Sequence, residues 1–210
     1  MTNHSVVAII LAAGASRRMG QPKQLLPYQD QTLLSYVIQC ALASSCSSVI
    51  VVLGANANKI KPSIKKFPVE IIRNSEWSQG ISSSIRCGVD YVRQQHFDCS
   101  NMNGMIFLVC DQPFVSTEII EKLIGHYSEL NKSIVACQYR TTVGIPVLFD
   151  YSFCAELEKL QGDYGAKKII QKHCDRVATI KFSKGEVDLD TFADYQQFIS
   201  ESLQLRRTAL

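Results

Sequence analysis

The 210-residue sequence predicts a three-layer α/β/α protein built around a mostly parallel sheet. Short apolar runs rich in Val and Ile recur along the chain, and segments with helical apolar periodicity separate them. Runs that are apolar without alternation are typical of strands buried on both faces. Strands that alternate with helices form a parallel sheet covered by helices on both sides.

The predicted strands are the apolar runs themselves, beginning with Val6-Val7-Ala8-Ile9-Ile10-Leu11. In order, they are residues 6–11, 49–53, 69–72, 104–109, 133–137, 145–149 and 177–182.

The predicted helices fall between these strands or after them. They are residues 32–43, 56–65, 81–93, 118–129, 153–160, 164–173 and 191–203. Residues 32–43 place their Leu, Val, Ile and Ala side chains along one side, as an amphipathic helix does. Ser116 or Thr117 can cap the helix at 118–129, which begins with an acidic residue.

The chain shows no repeat, no low-complexity segment and no linker, which predicts a single domain over residues 1–205. Residues 206–210 are predicted to be a frayed tail.

Composition excludes several classes of protein. The chain is 46% hydrophobic and 20% charged, with a net charge of +3, so nothing in its overall charge favours nucleic-acid or membrane binding. None of the eight cysteines forms a C-x-x-C pair, which argues against a zinc ribbon. No run is long enough to cross a bilayer, and no signal peptide is evident. We expect a cytoplasmic protein with reduced cysteines.

A glycine-rich loop follows the first predicted strand, reading Leu11-Ala12-Ala13-Gly14-Ala15-Ser16-Arg17-Arg18-Met19-Gly20-Gln21-Pro22-Lys23. Small residues allow the backbone to approach a ligand, and its N–H groups can point at phosphate oxygens. Arg17, Arg18 and Lys23 add positive charge. Because ligands bind beyond the carboxyl ends of parallel strands, the loop is a candidate phosphate site. The alternative is a surface turn with solvated charges.

Carboxylates follow two other strands. Asp111 comes directly after the strand at 104–109, and Asp188 and Asp190 follow the strand at 177–182. One or two carboxylates suffice to hold Mg²⁺ against a triphosphate. Asp111 could equally be a turn residue before Pro113, and Asp190 could cap the last helix.

Five motifs in order resemble those of the GT-A-like nucleotidyltransferases, and within them the molybdenum-cofactor cytidylyltransferases and their guanylyltransferase relatives. They are the loop with its continuation Gln24-Leu25-Leu26-Pro27, the stretch from Asn74 to Ser84, Asp111-Gln112-Pro113, Gly162-Asp163-Tyr164-Gly165-Ala166, and Asp188-Leu189-Asp190-Thr191. Residues 144–149 also fit. The resemblance implies a Rossmann-like, GT-A-like fold.

The resemblance also implies an activity: transfer of CMP from CTP to the phosphate of molybdopterin, with Mg²⁺ or Mn²⁺ and release of pyrophosphate. It implies catalytic roles for Arg18, Lys23 and Asp111, and metal ligation by Asp111 and Asp190. The nucleotide-binding residues that it implies are Leu11, Ala12, Ala13, Gly14, Lys23, Gly54, Gly80, Ser82 and Ser83. Ala13 favours CTP, because cytidylyltransferases of this type carry Ala where guanylyltransferases carry Gly.

The acceptor is less defined. Relatives that act on molybdopterin carry Gly-His-Pro where this chain has Gly144-Ile145-Pro146, and Ile145 can donate no hydrogen bond. Gly144, Asp163, Lys167 and Asp188 are the candidate acceptor-binding residues. Three alternatives stay open: a guanylyltransferase, transfer to another phosphorylated acceptor, or a non-catalytic molybdenum-cofactor-binding chaperone.

The expected partners are small-molecule substrates, with a molybdoenzyme or its chaperone as a further candidate. We expect a monomer or a weak dimer.

Overall fold

A computed structural model describes residues 5–95, 102–130 and 132–208 of the chain. Within these ranges the centre is a seven-stranded sheet. Its strands are β1 (Ser5–Ala12), β4 (Ser48–Leu53), β5 (Glu70–Arg73), β6 (Met102–Val109), β7 (Ile134–Tyr139), β8 (Thr142–Asp150) and β9 (Val177–Lys181). A separate two-stranded hairpin comprises β2 (Pro27–Tyr28) and β3 (Gln31–Thr32).

The strand order is β5-β4-β1-β6-β8-β7-β9. The pairs β4–β5, β1–β4, β1–β6 and β7–β9 are parallel, whereas β8 runs antiparallel to both β6 and β7. The predicted mostly parallel sheet is therefore confirmed, with one reversed strand.

Helices cover both faces of the sheet. They are α1 (Leu33–Leu42), α2 (Ala57–Ile64), α3 (Ile81–Gln94), α4 (Thr117–Leu130), α5 (Cys154–Leu157), α6 (Lys167–Lys172) and α7 (Phe192–Thr208). Alternate residues of β1 serve two cores. Ala8 and Ile10 pack with α1, α2 and α4, while Val7 and Ile9 pack with α3, α5 and α6. This is the expected α/β/α layering, and residues of the strand alternate between faces as the pleat requires.

A third apolar cluster lies beside the sheet and joins distant parts of the chain. Its buried members are Met19, Leu26, Tyr28, Leu33, Leu189 and Phe198. They come from the glycine-rich loop, the hairpin, α1, the segment before α7 and α7 itself. The cluster therefore packs the last helix against the first loop.

Some predicted elements differ from the structure. The hairpin β2–β3 was not predicted, because strands of two residues leave no periodic pattern. The helices predicted at 153–160 and 164–173 are shorter, since 3₁₀ turns occupy Tyr151–Phe153 and Gly162–Tyr164. Gly162 and Gly165 have positive φ angles of 70° and 54°, which interrupts a helix.

The last helix is longer than predicted and continues to Thr208, through most of the segment expected to be a frayed tail. Residues 209 and 210 lie outside the described ranges.

Among the described residues, none of the helices is both long and apolar enough to cross a membrane. Seven cysteines fall within the described ranges, and all seven are free thiols.

Candidate active site

The glycine-rich loop leaves the carboxyl end of β1 and is held from beneath by Gln24. The side chain of Gln24 is 1% exposed, and its Nε2 donates to the carbonyl oxygens of Ala12 at 2.9 Å and Gly14 at 3.1 Å. Ser16 has a φ of 54°, and its Oγ accepts a hydrogen bond from the Lys23 backbone N–H at 3.1 Å. These contacts hold residues 12–24 in a closed loop and place Lys23 near the carboxyl end of β6.

Lys23 connects the two predicted metal-binding carboxylates. Its Nζ lies 2.6 Å from Asp111 Oδ2 and 3.6 Å from Asp190 Oδ1. Burial opposes the positive charge on Lys23, but the adjacent Asp111 carboxylate outweighs it, and the pKa of Lys23 is raised. Arg18 Nη2 approaches the other oxygen of Asp190, Oδ2, at 3.0 Å. The structure thus brings together Arg18, Lys23, Asp111 and Asp190, the residues predicted to be catalytic or to bind metal.

Local backbone contacts explain how Asp111 and Asp190 meet. The N–H of Leu189 donates to the carbonyl oxygen of Asp111 at 3.0 Å, which ties the segment before α7 to the end of β6. Thr191 Oγ1 accepts from the Asp194 N–H, and Asp194 Oδ2 accepts from the Thr191 N–H, a reciprocal cap at the start of α7. Because Thr191 serves as the cap, the Asp190 side chain is available to Lys23 and Arg18.

A first cavity of about 220 Å³ lies between this loop and the start of α3, and we call it the donor cavity. Six of the residues predicted to bind nucleotide line it: Leu11, Ala12, Ala13, Gly14, Lys23 and Gly80. Trp77 and Ser84 line it as well, and Asp111 forms part of its wall.

Three other predicted nucleotide-binding residues lie off this wall. Gly54 sits behind it, where a Cβ atom would approach the Ala13 carbonyl oxygen to 2.5 Å and Trp77 Cβ to 2.7 Å. Ser82 is fully buried, and the Ser83 hydroxyl donates to the Gly80 carbonyl at 2.8 Å. The turn of α3 places Ser84 on the cavity instead.

A second cavity of about 310 Å³ adjoins the first, and we call it the acceptor cavity. The four candidate acceptor-binding residues, Gly144, Asp163, Lys167 and Asp188, all line it. Ile81, Val109 and Asp111 line both cavities. Asp111 therefore lies on the wall that separates the two cavities.

The acceptor cavity has its own electrostatic character. Burial and the neighbouring Asp111 raise the pKa of Asp188 to about 6. Burial also raises the pKa of Tyr139, whose hydroxyl donates to the Ile145 carbonyl oxygen at 3.3 Å. Ile145 itself lines the cavity, so the wall there is apolar.

The donor set at Asp111 and Asp190 suits a hard divalent cation. In the described part of the chain, no group of three or more His, Cys, Asp or Glu side chains is arranged to hold a metal. Mg²⁺ needs fewer protein ligands, because it keeps waters and binds through one or two carboxylates plus substrate phosphates. The Lys23 ammonium already lies close to both carboxylates, which shows that their negative charge converges on a cation.

Sequence reasoning assigned no site role to Gln24, Ser84, Gln112 or Tyr139. Gln24 and Gln112 occur inside the quoted motifs, but their burial was the missing signal: they are 1% and 4% exposed. A polar side chain this buried must find hydrogen-bond partners, and Gln112 Nε2 donates to the Gly185 carbonyl oxygen at 3.0 Å.

The geometry defines an α/β protein with a glycine-rich loop, two cations and paired carboxylates at the carboxyl edge of its sheet, which is where ligands bind in such folds. Comparison with known proteins agrees. Residues 8–177 match the model of the MobA-like NTP transferase domain. The chain belongs to this family.

The relatives that this chain matches are named for different activities. It is 30% identical to a nicotine blue oxidoreductase of Paenarthrobacter nicotinovorans over 89% of this chain and 92% of that one. It is also 30% identical to the molybdenum cofactor cytidylyltransferase of Escherichia coli K12, over 69% of each chain. Rv0371C of Mycobacterium tuberculosis H37Rv, solved in complex with manganese, superposes with a TM-score of 0.74 at 25% identity, covering 92% of this chain and 97% of that one.

Proposed function

We propose that this protein is a Mg²⁺-dependent nucleotidyltransferase that transfers CMP from CTP to the phosphate of molybdopterin and releases pyrophosphate. The observation that carries the proposal is the position of Asp111 on the shared wall of the two cavities, beside Lys23. A nucleotide held on one side and a phosphate held on the other would meet at this carboxylate.

The chain's own residues supply positioning and charge. Backbone N–H groups of the loop after β1 orient the triphosphate, and Lys23 and Arg18 neutralise its negative charge. Asp111 and Asp190 would hold Mg²⁺, which when bound neutralises further charge on the phosphates. Mn²⁺ is an alternative, since Rv0371C was solved with manganese. No covalent bond to the protein is required, so catalysis comes from orientation and electrostatic stabilisation.

CTP is the proposed donor because of Ala13. The Ala13 side chain lines the donor cavity. Ala13 cannot move back from the cavity, because Ala13 and Trp77 already pack closely against the Cα of Gly54 behind it. A methyl group there favours a pyrimidine over a purine base. Molybdopterin is the proposed acceptor because of the similarity to the E. coli cytidylyltransferase, although Ile145 departs from the motif of relatives that act on molybdopterin.

The test is a pyrophosphate-release assay with CTP, GTP, ATP or UTP, Mg²⁺ and molybdopterin. We expect turnover with CTP and none above background in the Asp111→Ala variant, whose fold is checked by circular dichroism. Unchanged release in Asp111→Ala would refute the metal assignment. Turnover with GTP instead would make the protein a guanylyltransferase, and release only with another phosphorylated acceptor would replace molybdopterin. CTP binding without release would favour the molybdenum-cofactor-binding chaperone.

A second candidate is a redox reaction on an aromatic compound. The similarity to the nicotine blue oxidoreductase favours it, since that alignment spans 89% of this chain. The apolar Val143, Ile145 and Val147 on the acceptor cavity would also suit an aromatic ring. Incubation with nicotine blue and a reduced nicotinamide cofactor, followed by absorbance, distinguishes this reaction because it releases no pyrophosphate.

A further inference from the structure

Arg86 lies on α3, outside the donor and acceptor cavities, and binds two segments that wall them. Its side chain is 23% exposed. Nη1 donates to the Leu160 carbonyl oxygen at 2.5 Å, and Nη2 donates to Gln79 Oε1 at 3.0 Å and Glu76 Oε2 at 3.2 Å. A planar guanidinium with several N–H donors can hold partners on two sides at once, whereas a lysine ammonium is a compact point charge.

The first of these segments belongs to the donor side. It is the 3₁₀ turn Trp77–Gln79, with Glu76 directly before it. Trp77 and the following Gly80 line the donor cavity. The Arg86 contacts at the two ends of this turn therefore fix a wall that would face a bound nucleotide.

The second segment belongs to the acceptor side. It follows Leu160 and forms the 3₁₀ turn Gly162–Tyr164, of which Asp163 lines the acceptor cavity. This turn rests on the first segment, since a Cβ atom at Gly80 would lie 1.8 Å from Asp163 Oδ1. The two walls therefore touch each other directly and are also joined through Arg86.

The turn Gly162–Tyr164 is a segment that such contacts can order. Tyr164 is 66% exposed, and Gly162 and Gly165 have positive φ angles of 70° and 54°. Glycine permits more backbone conformations than other residues do. The contacts with α3 and with Arg86 therefore decide how far this turn can move.

We propose that Arg86 is a positioning residue that couples the two cavities, so that a nucleotide in the donor cavity orders the turn Gly162–Tyr164 beside the acceptor. A nucleotide packed against Trp77 and Gly80 restrains the first segment, and Arg86 transmits that restraint to the second. Restricted motion is sufficient for such coupling, and no change of shape is required. By reciprocity, a bound acceptor strengthens nucleotide binding. The inference rests on the proposed function, since it assumes that a nucleotide occupies the donor cavity.

The test removes the guanidinium and keeps a matched control. Arg86→Met retains an unbranched side chain without the donors. Arg93→Met is the control, because Arg93 lies on the same helix and donates to Glu158 after α5 at 2.6 Å, yet lines neither the donor nor the acceptor cavity. A second variant, Glu76→Ala combined with Gln79→Ala, removes only the donor-side partners of Arg86; both residues are exposed, so the fold should be retained.

The measurement is hydrogen–deuterium exchange by mass spectrometry, with and without CTP and Mg²⁺ at saturation established by isothermal titration calorimetry. In the wild type and in Arg93→Met, we expect CTP to slow the exchange of amides in residues 161–166 at least threefold. In Arg86→Met and in the double variant, CTP should protect residues 12–24 but leave residues 161–166 unchanged.

Slowing at residues 161–166 that persists in Arg86→Met and in the double variant would overturn the proposal. A wild type that binds CTP without slowing these amides would overturn the coupling alone. A wild type that binds no nucleotide would refute the proposed function together with the coupling. Exchange does not depend on turnover, so these outcomes are distinguishable from an absence of pyrophosphate release.

Discussion

Gln24 offers a direct test of how the glycine-rich loop is held in place. Gln24→Leu preserves most of the side-chain volume but removes the Nε2 donor from the Ala12 and Gly14 carbonyl oxygens, which lie at 2.9 and 3.1 Å. The buried Ala12 carbonyl, left without a partner, costs about 1–3 kcal/mol, and loss of the hydrogen bond to the exposed Gly14 costs about 1 kcal/mol more. The free energy of unfolding should therefore fall by about 2–4 kcal/mol.

Urea denaturation followed by circular dichroism measures this loss of stability. Isothermal titration calorimetry with CTP and Mg²⁺ measures the effect of the substitution on nucleotide affinity. We expect CTP affinity to fall at least tenfold, because the loop amides lose their orientation. Gln39→Leu is the control, since Gln39 is exposed on α1 and its side chain accepts a hydrogen bond from the exposed end of Gln31. It should change stability by less than about 0.5 kcal/mol. Equal stability of Gln24→Leu and Gln39→Leu would refute the anchoring role of Gln24.

Two other predictions concern the back and the far side of the site. Gly54→Ala should destabilise the fold by about 1–3 kcal/mol, because its methyl would lie 2.5 Å from the Ala13 carbonyl oxygen in the loop. Gly125→Ala is the control: its methyl would meet open space within α4, so it should stabilise the fold by up to about 1 kcal/mol. Thermal melts compare the two, and equal shifts would contradict the steric argument. The folded protein raises the pKa of Asp188 from 3.8 to about 6, so it retains a proton that the unfolded chain releases over that interval. As pH rises through this window, the free energy of unfolding of the wild type should therefore fall by about 1 kcal/mol relative to that of Asp188→Asn. This value is reduced because the side chain is partly exposed. Urea denaturation at several pH values measures the difference between the two proteins, and a difference that stays constant would contradict the prediction.

The sheet could be predicted from the sequence because its strands carry a strong signal. Val6 to Leu11 is apolar without interruption, and both faces of that strand are buried. The order of the strands and the reversal of β8 could not be predicted in the same way. They depend on which runs pair, and β6 and β8 pair across intervening helix α4 and strand β7.

The site shows the same division. The loop, Asp111 and Asp190 were predictable because backbone-exposing glycines, cations and carboxylates follow strand ends, where parallel sheets bind ligands. Which serine of Ser82-Ser83-Ser84 lines the donor cavity was not predictable, because that depends on the rotation of α3 about its axis. The anchoring role of Gln24 could not be predicted either. A single buried amide leaves no periodic pattern in the sequence, and its role is seen only from its hydrogen-bond partners in the structure.

The third apolar cluster has a consequence for the order in which the molecule is made. Lys23 and Asp111 are 88 residues apart in sequence, and Asp190 joins them from near the other end of the chain. Met19 and Leu26 can pack with Leu189 and Phe198 only after the final helix has left the ribosome. A growing chain can assemble β1 to β6 before then, but its glycine-rich loop still lacks one of the two carboxylates that face Lys23. The second carboxylate beside Lys23 is therefore supplied only after residue 190 has been made, and a chain terminated before Asp190 lacks that ion pair.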